Sequence, residues 1–114
     1  MKDSADIEIE QNLNRLLGQL SDERLQLLLR EAREYLRKAR KLLLSNIDAA
    51  DWESLASEAH KVRGAMLIYG NTRLESLLDK LCNVSPEVAC VDSDLINELN
   101  REFGRIDRVL STFG

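Results

Sequence analysis

A chain of 114 residues that is 44% hydrophobic and 32% charged can bury one core and solvate its outside, which excludes a disordered segment and leads us to expect a single domain over 1–114. Its formal net charge of -4 argues against a nucleic-acid partner, and no apolar run approaches the roughly 20 residues of a membrane span. One proline and five glycines are too few turn residues for an all-β fold of this length, so helices are expected. Met1 to Asp6 holds no apolar signal core, and a cytoplasmic location follows as the expectation.

The first helical pattern runs from about Asp6 to Leu17, with Ile9, Leu13, Leu16 and Leu17 on one side, and Gly18 interrupts it. Ser21 then caps a long second helix whose apolar stripe reads Leu25, Leu28, Leu29, Ala32, Tyr35, Leu36, Ala39, Leu42 and Leu43, ending near Ser45-Asn46. Arg30, Arg33, Arg37, Lys38, Arg40 and Lys41 crowd its second half around Glu31 and Glu34. Such a run reads as a solvated face whose cations suit a helix C-terminus, with a docking surface for an acidic partner as the alternative.

Asp48 or Asp51 can cap the third helix, which carries Trp52, Leu55, Ala59, Val62, Met66 and Tyr69 at helical spacing and stops near Gly70. Trp52, Tyr35 and Tyr69 read as core or core-edge aromatics. Thr72 and Glu75 stand in capping-box relation before a fourth helix with Leu74, Leu77, Leu78 and Leu81 inside. Pro86 makes Asn83 to Val91 a loop, and Asp92 or Ser93 opens the last helix, with Leu95, Ile96, Leu99, Phe103, Ile106, Leu110 and Phe113 inward. Cys82 and Cys90 flank that loop. Their spacing fits no zinc pattern, so no metal site is expected; they read as free thiols, with a loop-closing disulfide as the alternative. Short connections force neighbours antiparallel, giving an all-α, up-down-up-down four-helix bundle with a short extra N-terminal helix over one end.

The third helix holds the informative residue. With Leu55 at zero on a helical wheel, Val62, Met66, Tyr69, Ala59 and Trp52 fall within roughly 60° of it, and that side is core. His60, the single histidine, falls at roughly 140°, with Gly64 at roughly 180° and Ala56 at roughly 100°. Glycine inside a helix costs roughly 0.5–1 kcal/mol relative to alanine, so the vacancy at Gly64 asks for a reason, and clearance for a molecule approaching the imidazole is one. Leu67, at roughly 120° on the same outer face, has no core to enter and suits a contact patch. An imidazole nitrogen is a nucleophile near neutral pH, and Arg63, about 60° around the helix, is the nearer candidate for a cationic side chain beside it. Lys61 lies about 100° the other way and is the weaker candidate.

His60-Lys61-Val62-Arg63-Gly64-Ala65-Met66-Leu67-Ile68-Tyr69-Gly70 resembles the signature of histidine-containing phosphotransfer domains. That family has its histidine followed by an apolar residue two later, a basic residue three later, and glycines four and ten later. Val62, Arg63, Gly64 and Gly70 fill those places, with Arg63 where lysine is commoner. The lead-in Ser54-Leu55-Ala56-Ser57-Glu58-Ala59 is similar too. The resemblance implies a helical bundle that carries a phosphoryl group on His60 between response-regulator aspartates. Arg63 and Lys61 would stabilise the group, while Ala56, Gly64 and Leu67 would meet the partner. It also implies a monomer whose partners are receiver domains and a hybrid sensor kinase. No cofactor belongs to this chain, since the receiver brings the Mg2+, and no ATP-dependent kinase activity of its own is expected.

Two other readings compete. The dimerisation helices of a sensor histidine kinase follow their histidine with an acidic residue and a nearby proline; here Lys61 follows, and no proline occurs before Pro86. No glycine-rich ATP-binding motif is present either. The second is an inert helical adaptor, which only a phosphorylation assay separates from a relay domain.

Overall fold

Apolar spacing at three and four residues becomes five helices in the computed structural model, which describes residues 3–69, 71–84 and 91–113 and, within them, every side chain except those of Leu16, Leu67, Ile68 and Tyr69. In chain order they are α1 (Ser4–Leu17), α2 (Asp22–Asp48), α3 (Trp52–Tyr69), α4 (Thr72–Cys82) and α5 (Ser93–Thr112). No strand occurs among the described residues. The expectations for Gly70, Pro86 and Cys90 lie outside them, as do those for the side chains of Leu16, Leu67 and Tyr69. No helix among the described residues is long and apolar enough to cross a membrane.

Each helix starts where a short polar side chain takes a free amide of the first turn. Asp3 accepts from Ala5 N at 2.9 Å, Ser21 from Arg24 N at 3.4 Å and Asp51 from Ser54 N at 3.2 Å. Asp92 accepts from Leu95 N at 2.9 Å. Such a cap contributes about 1 kcal/mol. At α4 the expected capping box does not form: Asn71 is the cap, accepting from Leu74 N at 2.7 Å. Thr72 is already helical, and its hydroxyl instead donates to Glu8 Oε1 at 2.6 Å. The second helix also runs on past Ser45-Asn46 to Asp48 before the turn over Ala49 to Asp51, where Ala50 takes a φ of 54°.

Four helices form a ring. The α2 helix packs on α3 and α5, and α4 packs on the same two. Arg33, eleven residues before Leu44 in α2, bonds Asp107 near the end of α5, whereas Ile96 at the start of α5 lines one groove with Leu44 and Ile47 near the end of α2. Those two helices are therefore antiparallel. Arg63 and Asp79 face each other eight residues either side of Asn71, the mark of an antiparallel α3–α4 hairpin. Helix α2, about 40 Å long at 1.5 Å per residue, spans most of the 48 Å long axis.

The core is aliphatic. Leu43, Leu55, Leu74, Leu78, Leu81, Leu99 and Ile106 have no solvent exposure. Each such side chain contributes about 1.5–3 kcal/mol of burial. One expectation fails on α2, where Leu28, Tyr35 and Leu42 are exposed. The ring closes on the narrower stripe of Leu25, Leu29, Leu36, Ala39 and Leu43, and these three sit at its edge, one every seven residues.

Helix α1 packs across α3 and α5, with Ile9 and Leu13 fully buried. Its polar side is tied down by charge. Asp6 holds Arg105 at 3.0 Å and Arg108 at 3.1 Å, and Asp3 pairs with Arg105 at 3.3 Å and Arg73 at 3.4 Å. Behind them Glu102, 4% exposed, accepts from Arg105 Nε at 3.1 Å and Asn71 Nδ2 at 3.2 Å. A buried carboxylate survives there because two donors replace its water.

Candidate functional site

The inner face of α3 is fixed by Leu55, Ala59, Val62 and Met66, all buried. A helix so anchored turns its opposite face outward, and there His60 stands exposed as the wheel requires. Lys61 is exposed beside it, and Ala56, one turn earlier, is half-buried. Gly64, one turn later, is exposed, and a Cβ built on it would meet nothing within 4 Å. Among the described residues no neighbour requires a hydrogen there. Gly104 in α5 has equally open surroundings, so space alone does not single out Gly64. Position beside the histidine does. Leu67 belongs to α3, but its side chain is outside the described set.

Arg63 leans toward α4 rather than over His60. One guanidinium nitrogen, Nη1, lies 3.2 Å from Asp79 Oδ1. Cys82, one turn further along α4, is a half-buried free thiol. Burial pushes it above its ordinary range, against the pull of the nearby Arg63 guanidinium. The group expected to stabilise phosphate is thus engaged with a carboxylate that sequence reading passed over. A signal existed: a short hairpin pairs residues equidistant from its turn, and Asp79 is the acidic residue opposite Arg63.

On its other flank α3 meets α2, where burial and the charge of Glu58 raise the Tyr35 phenol. Tyr35 belongs to the exposed row with Leu28 and Leu42, and Leu27 adds to it. Beside the row a groove of about 390 Å3, lined by Leu13, Leu17, Leu28 and Tyr35, opens between α1 and α2. Helix α3 therefore has a polar partner on α4 and an apolar row beyond it on α2.

The family model of the Hpt domain matches residues 23–109, which include α3 with His60 and nearly all of the four-helix ring. The chain belongs to the Hpt-domain family. No curated protein and no solved structure matches it. Its biochemistry is the histidine phosphotransfer of two-component phosphorelays, in which Hpt domains meet receiver domains and kinases. Within this Hpt domain, His60 is the single histidine available for that role. The basic run on the far side of α2 is partly neutralised, with Arg33 and Arg37 at 3.0 and 3.8 Å from Asp107.

Proposed function

We propose that His60 accepts a phosphoryl group from an aspartyl phosphate on a docked receiver domain and passes it to an aspartate of another. The observation that carries the reading is a lone histidine, exposed at mid-helix, with open space one turn away at Gly64. In the accepting step the Nε2 lone pair attacks phosphorus. The N–P bond forms as the P–O bond to the aspartate breaks, and the carboxylate leaves with that electron pair. The Nδ1 proton is then free to pass to solvent. Transfer of this kind depends mainly on alignment and charge neutralisation. Alignment would come from docking on the exposed Leu28, Tyr35 and Leu42 row together with Ala56, Gly64 and Leu67. Charge would come from Arg63 and Lys61 on this side, and from the receiver's Mg2+ on the other.

The test is incubation with a receiver domain charged by acetyl phosphate. The wild-type domain should take up label that is lost in warm acid and kept in base, because protonating a phosphoramidate makes imidazole a good leaving group. His60→Gln should take up none while melting normally, since an exposed side chain contributes little packing. Label retained on His60→Gln, or a wild-type domain that gains no label, overturns the reading.

A further inference from the structure

Arg63 has two anionic claimants, and only one of them is permanent. It stands three residues after His60, where side chains on a helix surface are neighbours with Cβ atoms about 5–6 Å apart. From that position its long stem can carry the guanidinium toward a phosphoryl group on the histidine. In the unphosphorylated domain it points the other way, to Asp79, through a single contact of 3.2 Å between side chains that are 41% and 56% exposed. A half-exposed, single-contact pair is weak and opens readily. A phosphoryl group, carrying nearly two charges and three acceptor oxygens, makes stronger charge-assisted hydrogen bonds than one carboxylate oxygen.

Resting on the assignment of His60 as phosphoryl carrier, we propose that Asp79 is a positioning residue that competes with the phosphoryl group for Arg63, and so sets how readily the domain gives the group up. A relay intermediate is poised to release as well as to accept. A cation dedicated to the phosphohistidine would hold it as a trap. Asp79 on α4 supplies an alternative partner that takes the guanidinium back as the phosphoryl group leaves. The competition asks only for a change in the Arg63 side chain, which is long, half-exposed and held by one contact.

The experiment mixes the domain with an acetyl-phosphate-charged receiver and reads the equilibrium ratio of phosphohistidine to aspartyl phosphate. Asp79→Asn, which frees Arg63, should raise that ratio roughly two- to fivefold, the range an ion pair of this exposure is worth. Asp79→Glu, which keeps a carboxylate within reach, should restore the lower ratio. In an Arg63→Gln background, Asp79→Asn should change nothing, because the effect passes through the guanidinium. Persistence of the increase in that background would mean direct repulsion between Asp79 and the phosphoryl group, and would overturn the proposal. So would an unchanged or lower ratio in Asp79→Asn alone. Melting curves for each variant confirm that the ratios compare folded proteins. A wild-type domain that takes no label brings down the His60 assignment itself, whereas a labelled wild type with an indifferent Asp79→Asn brings down only the role of Asp79.

Discussion

Gly64 and Gly104 form a matched pair that separates helix propensity from partner access. Both are exposed within long helices, and a Cβ on either would meet nothing within 4 Å. Alanine at either site therefore gains the helix-propensity difference without a clash, about 0.5–1 kcal/mol. At about 4–8 °C per kcal/mol for a domain near this size, each Gly→Ala should raise Tm by about 2–8 °C. Glutamine should be accommodated equally well at both positions. Transfer should distinguish them. Gly64 is one turn from His60, and a side chain there keeps the receiver at a distance; an error of about 1 Å in approach costs on the order of a hundredfold in rate. Gly104 lies on α5, across the ring from α3, and Gly104→Gln should transfer at the wild-type rate. Thermal melts and rapid-quench single-turnover transfer on the four variants give both quantities. Wild-type transfer by Gly64→Gln, or equal slowing by Gly104→Gln, would refute the placement of the docking face.

Asn71→Ala should cost about 2–4 kcal/mol, because it removes the α4 cap and also a donor to the buried Glu102. A denaturant midpoint corresponding to a loss under about 1 kcal/mol would show that Arg105 alone satisfies Glu102 and that water replaces the cap. Acid should loosen α1. The Asp3 carboxyl is held below its ordinary 3.8, chiefly by the Ala5 amide and also by Arg105 and Arg73. A depressed carboxylate contributes stability that is present above 3.8 and lost as pH falls through the folded value. Asp3→Asn, which keeps a capping oxygen, should flatten the fall in Tm below that pH, and an unaltered acid limb would count against the assignment.

Much of the fold was legible because helices announce themselves locally. Leu74, Leu77, Leu78 and Leu81 all read as inward and are all buried. Ser21 and Asp92 cap where expected, since a cap needs only its own first turn. His60 was legible for the same reason: one helix and its period decide which way a residue faces. What depends on a second element was not. Leu28, Tyr35 and Leu42 have the right period for the core, but how wide a stripe is buried depends on where α3 and α5 sit. Thr72 and Glu75 had the spacing of a capping box. Glu8, sixty-four residues from Thr72, claimed the hydroxyl, and Asn71 took the cap. Arg63 looked free for phosphate because Asp79 belongs to another helix.

The stretch that marks the family is shorter than the stretch that packs together. The match opens at Glu23, inside α2, and leaves all of α1 upstream of it. Yet Ile9 and Leu13 are as deep as any leucine in the ring, and together they contribute about 3–6 kcal/mol, against the 5–15 that a small domain commands in total. Arg105 and Arg108, inside the matched region, would also lose their partners Asp3 and Asp6. Recombination that trades relay modules at the boundary of the match would hand the recipient a bundle with an open seam and stranded arginines. The inheritable unit of this protein therefore begins before its recognisable one.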